Sequence, residues 1–126
     1  MMDKKYILSA FGYAIVGLVL GIYMAASKDH TQLATHAHIM LLGFVVSFVY
    51  ALCHKLWLNN DSSTLSKIQY NLHQIGTIGL VVGLFLLYSG KFPADALEPV
   101  LAGSSIIVLI SLVIVKWMFI KCFKNS

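Results

Sequence analysis

Four stretches of this chain are each long and apolar enough to cross the hydrocarbon core of a bilayer, and that pattern leaves few other folds open. A core of roughly 30 Å takes about 20 apolar residues in a helix. The windows 6–26, 33–57, 68–90 and 97–120 all reach that length. In lipid a backbone must satisfy its own hydrogen bonds, so each window reads as a helix. The connections 27–32, 58–67 and 91–96 are short, which makes successive helices antiparallel neighbours. The sequence therefore predicts an all-α integral membrane protein, a single up-down four-helix bundle over residues 1–126. With 59% hydrophobic and 11% charged residues, the composition is too apolar for a soluble domain of this size. Lys4 and Lys5 ahead of the first window resemble the start of a secretory signal, but the apolar run is too long and lacks a small-x-small cleavage site, so it reads as a span.

Orientation follows from lysine, since all nine basic residues are lysines. With both termini in the cytoplasm, Lys4, Lys5, Lys55, Lys67, Lys116, Lys121 and Lys124 lie inside, and only Lys28 and Lys91 lie outside. The expected location is a membrane of the bacterial inner (cytoplasmic) type, with this N-in/C-in orientation. The same lysines account for the basic pI and imply contact with anionic lipid rather than nucleic acid. Cys53 and Cys122 fall at the inner ends of spans two and four, with no C-x-x-C, and read as buried structural thiols. Thr31, Asp61 or Ser62, and Asp95 with Glu98 are the expected helix caps. Tyr13, Trp57, Tyr70 and Trp117 suit the inner interface, and Tyr23 and Tyr88 the outer one.

Small residues mark the faces that approach other helices. Ala10, Ala14, Gly17 and Gly21 form one stripe in span one, and Gly76, Gly79, Gly83 and Gly90 another in span three. In a regular helix His36, Met40, Gly43, Ser47, Tyr50 and His54 share one face of span two, which should meet protein. His38 lies about 200° further round, beside Leu41, Leu42, Val45, Val49 and Leu52.

Imidazoles at membrane depth are costly, so His36, His38 and His73 are the candidate metal ligands. The H-x-H spacing does not aim both rings at one ion. His73 differs in height from His36 by on the order of 15 to 20 Å, so one chain does not join them on one metal. His54 and His30 are expected to be solvated at the ends. No intramembrane carboxylate is present to drive coupled transport, and there is no nucleophile elbow, Walker loop or carboxylate pair for hydrolase or transferase chemistry.

The stretch Thr35-His36-Ala37-His38-Ile39-Met40 resembles the second transmembrane helix of subunit I of the haem-copper oxidases, and His36 to Gly43 resembles a segment of small four-helix membrane proteins related to that subunit. The resemblance implies His36 as an axial ligand to a b-type haem, with His38, Met40 and Gly43 also at the cofactor site. It implies a role in electron transfer, haem handling or gas sensing. It does not imply a complete oxidase, since the copper-binding histidines and the His-Pro-Glu motif are absent. Copper is the alternative cofactor, and a structural or assembly subunit without cofactor is the alternative role. Limited interior room for a porphyrin predicts a homo-oligomer, most simply a parallel dimer, with any redox partner unidentified.

Overall fold

A computed structural model describes residues 1–125, which form helices and turns with no strand. Four helical rods result: α1 (Met2–Ser27); a second rod built of α2 (Leu33–His38), a π-helical stretch (Ile39–Val46) and α3 (Ser47–Leu56); α4 (Thr64–Tyr88); and α5 (Ala94–Lys124). All four rods are long and apolar enough to cross a membrane. The predicted windows coincide with them, and the differences lie at the caps. Ser63, braced by Asp61, caps α4 by accepting from the Ser66 amide at 3.3 Å. Neither Asp61 nor Ser62 is the cap itself. Gln32 rather than Thr31 precedes α2, and α5 starts after Pro93, which puts Asp95 in its first turn and Pro99 inside the helix.

The rods pair as two hairpins. In the first, α1 lies antiparallel along the second rod. A Cβ placed on Gly21 would meet His36, one on Gly17 would meet Met40 and Ile39, and Gly43 makes room for the Tyr13 ring. In the second hairpin Gly76, Gly79 and Gly83 of α4 abut Val108, Ser104 and Leu101 of α5. Both small-residue stripes thus serve close helix packing. Gly90 is not part of its stripe: it follows α4 with φ +74° and has open space around it, the usual use of glycine past a helix end.

The two hairpins meet across a polar seam. Tyr6 donates to Gln69 Oε1 (2.5 Å), and Tyr13 donates to Gln74 Oε1 (2.7 Å). Gln74 Nε2 reaches Ser9 (3.1 Å), Ser47 pairs with His73 (2.8 Å), and Gln32 Nε2 donates to the Phe85 carbonyl (3.1 Å). Tyr13 and Tyr70, expected at an interface, face inward instead, Tyr70 edge-on to Tyr6 with ring centroids 4.9 Å apart. The largest sealed side chains, Tyr6, His54, His73, Gln69, Thr35, Thr77, Ser47, Ser66 and Ser111, each carry a polar atom, whereas Leu8, Ile15 and Ile22 are among the most exposed. Water would invert that distribution. Lipid tails do not, because in lipid apolar burial gives no drive and interhelical hydrogen bonds and close packing hold helices together.

Candidate histidine site at the start of the second rod

His36 sits in the first turn of the second rod, its amide bonded to the Gln32 carbonyl at 2.9 Å. Its ring lies in the groove that Gly17 and Gly21 leave on α1. A Cβ on Gly21 would come 3.0 Å from His36 Cε1. Ring Nδ1 is 2.8 Å from the Gly17 carbonyl oxygen. A carbonyl only accepts, so Nδ1 is the N–H donor, and in the neutral tautomer this contact selects the lone pair lies on Nε2. The Gly17 carbonyl, and not the neighbouring Thr35 or Gln32, is the partner that orients this ring. Those two bond to each other, Thr35 Oγ1 donating to Gln32 Oε1 at 2.6 Å. His36 is half-buried, and its Nε2 makes no hydrogen bond among the described residues.

His38 is exposed and its Nδ1 donates to the Ala34 carbonyl at 2.8 Å; of the residues expected on its face, Leu41, Val45, Val49 and Leu52 are exposed and Leu42 is half-buried. Met40 and Gly43 are both taken up by packing against α1, Met40 beside Gly17 and Gly43 beneath Tyr13.

The regular phase assumed for the second rod fails in its first half. Gly43, Ser47, Tyr50 and His54 are buried, but above them Thr35 and Ile39 are sealed in place of His36 and Met40. The cause is the π-helical stretch from Ile39 to Val46, where each turn takes more residues and the inward line runs 35, 39, 43, 47 in steps of four.

His73 lies far from His36. It is sealed, bonded to Ser47 eleven residues along the second rod from His36, and packed edge-on to Tyr50 with centroids 5.0 Å apart. Its Nδ1 has no partner, nor have Thr77 Oγ1 one turn on, His54 Nδ1 or Ser66 Oγ. His54, expected to be solvated, is sealed and stacks on Tyr6 at 5.6 Å. Among the described residues no three His, Cys, Asp or Glu side chains converge, so a site for copper or another ion built on this chain alone would have at most two such ligands. Cys53 and Cys122 are free and half-buried, and the Cys122 thiol donates to the Trp57 carbonyl.

The chemistry open to this arrangement is that of an imidazole whose orientation is fixed by a backbone acceptor and whose other nitrogen is uncommitted. No protein-family model, curated protein or solved structure matches the chain, so the likeness of 35–40 to the oxidase helix rests on those residues alone.

Proposed function

We propose that this chain is an integral membrane protein that binds haem b through His36 Nε2 and serves electron transfer, haem handling or gas sensing. The observation that supports this reading best is the hydrogen bond from His36 Nδ1 to the Gly17 carbonyl. Axial imidazoles donate their second nitrogen to just such an acceptor, which fixes the tautomer and raises ligand basicity. Bound there, the iron would supply one-electron redox change or a gas-binding position. The half-buried ring, with His38 exposed and turned to the Ala34 carbonyl and His73 bonded to Ser47 far along the rod, favours a haem held between two copies in a parallel dimer, His36 from each, with His38 as the reserve ligand. The lysine distribution favours both termini on the cytoplasmic side, and a bacterial inner membrane is the proposed location.

The test is the visible spectrum of protein purified in mild detergent, oxidised and then dithionite-reduced. A Soret band that shifts on reduction, with sharp α and β bands, is expected, and it should disappear in His36→Ala while helicity persists. Haem retained at full stoichiometry in His36→Ala transfers the role to another residue. A preparation that stays colourless through haem titration removes the haem reading, and metal analysis then decides for or against copper. The second reading, a structural or assembly subunit, is favoured by one observation: His54, His73 and the inward glycines are all taken up by packing. It predicts a stable bundle indifferent to replacement of His36.

A further inference from the structure

Between α1 and α4, at the end of the bundle that carries the 28–32 and 89–93 connections, the two hairpins part and leave a groove with the second rod as its floor. Its inner part is an open-sided shaft of about 320 Å³ along Val16 and Leu20 of α1, Ile39 and Thr35 of the second rod, and Val82 and Phe85 of α4, with Val16, Val82 and Phe85 themselves about half exposed. Its mouth, about 490 Å³, shares Val19, Leu20 and Phe85 with the shaft and adds Asp29, Gln32 and the Tyr23 and Tyr88 rings. The shaft presents hydrocarbon; the mouth presents hydrogen-bonding groups and a carboxylate.

Polarity changes in order from mouth to shaft. Asp29 is exposed, and the amide of Thr31 donates to its Oδ1 at 3.1 Å, which holds the carboxyl below its usual range and keeps it anionic. Lys28 and Lys91 stand in the two loops that bound the mouth. One step deeper, Gln32 is only 8% exposed yet uses half its amide: Nε2 donates once, to the Phe85 carbonyl, and Oε1 accepts once, from Thr35. One N–H and one lone pair remain. Below Gln32 the lining of the shaft is apolar apart from Thr35.

The geometry points to a specific phospholipid site here, for a zwitterionic lipid with a primary ammonium head, phosphatidylethanolamine in type. The ammonium pairs with Asp29 and the phosphate lies toward Lys28 and Lys91. The free Gln32 N–H meets a glycerol ester carbonyl, and one acyl chain fills the shaft. An anionic head such as phosphatidylglycerol brings the same phosphate without the ammonium, so it leaves Asp29 without a partner and makes one ion pair fewer. Tyr23 and Tyr88 flank the mouth as interfacial aromatics do beside headgroups. The site stands whether or not His36 holds haem.

Native mass spectrometry of the detergent-solubilised protein, titrated with dioleoylphosphatidylethanolamine and separately with dioleoylphosphatidylglycerol, tests it. The wild type is expected to retain one ethanolamine lipid per chain with a preference of about fivefold over the glycerol lipid, the scale an exposed ion pair supports. Asp29→Asn, in an exposed loop, should abolish the preference and keep the binding. Val82→Trp should fill the shaft and lose both lipids, whereas Leu109→Trp, exposed on α5, should lose neither. Equal retention of the two lipids by the wild type, an unaltered preference in Asp29→Asn, or full binding by a folded Val82→Trp overturns the proposal. A different molecule recovered from the shaft on extraction does so too.

Discussion

The bond between Tyr6 and Gln69 is the strongest single candidate for what holds the two hairpins together, and a double-mutant cycle measures it. Both side chains are fully buried, and the O···O separation is 2.5 Å. Gln69 is anchored from behind: its Nε2 donates to Ser111 at 2.9 Å, and the Ser111 hydroxyl returns to the Gln69 carbonyl at 3.0 Å. Its Oε1 therefore cannot turn to water when the phenol is removed. Interhelical hydrogen bonds in membranes average about 0.6 kcal/mol and reach about 1.7, whereas a buried acceptor left unpaired costs about 1–3 kcal/mol. Full burial and the fixed geometry put this bond at the upper end. Tyr6→Phe should cost about 2 kcal/mol, and Gln69→Leu a similar amount. The double variant, which removes both partners, should cost little more than either single one. That leaves a coupling of about 1.5 kcal/mol. The assay is reversible unfolding in mixed micelles with increasing denaturing detergent, followed by circular dichroism. Single effects that add to within about 0.3 kcal/mol would mean that the bond joins nothing and that packing alone holds the hairpins together.

Glycine replacements separate packing from propensity. Gly76→Ala puts a Cβ 2.6 Å from Val108 Cγ2 and 3.0 Å from the Val108 backbone nitrogen, which cannot yield, and should cost about 1–3 kcal/mol in the same assay. Gly12→Ala and Gly103→Ala meet nothing within 4 Å and should be neutral or gain up to about 1 kcal/mol, and a loss there would count against the packing shown. Deleting Leu41, an exposed residue of the π-helical stretch, should leave a folded, more regular rod, while deleting Val49 from α3 should unfold the bundle. Comparable loss of helicity in both would refute the phase argument. Ser47→Ala should cost about 1–3 kcal/mol by leaving His73 Nε2 unpaired, with no change in any bound haem, and the paired measurement of stability and absorbance checks it.

Much of the fold was legible because length and hydropathy alone specify four rods, and because small residues at helical spacing mark where rods approach. The polar seam was written in the sequence as well. Ser66, Gln69, His73, Thr77 and Leu80 follow the i, i+3, i+4 rule along α4, and all five are buried. What residue type could not tell was direction. Tyr13 and Tyr70 carry the amphipathic ring of an interface residue, yet each shares a helix face with seam residues and turns inward. His54 was hidden by its position near a rod end, where a solvated ring is the ordinary case. Its burial depends on Tyr6, which no local pattern links to it.

The histidine site was half legible, for a reason that bears on its use. A regular helix turns about 100° per residue, so over the twelve residues from Thr35 to Ser47 it would end about 120° off line, and His36, eleven residues from Ser47, would hold the sealed position. The π-helical stretch absorbs one extra residue within the rod and moves that position to Thr35. Without Leu41 the separation from Thr35 to Ser47 is eleven residues, about 20° off line in an ordinary helix, which is why that deletion is tolerable and one in α3 is not. The consequence for chemistry is direct. In a regular rod His36 would be enclosed as Ser47 is, with its ring nitrogens confined to partners inside the chain. The wider winding turns it half out of the bundle, and the groove at Gly17 and Gly21 holds its Nδ1 while Nε2 stays free. The irregularity that defeats a phase count is thus the feature that gives a buried-looking histidine a nitrogen to offer, and in a rod with a single such break it falls directly after the H-x-H run.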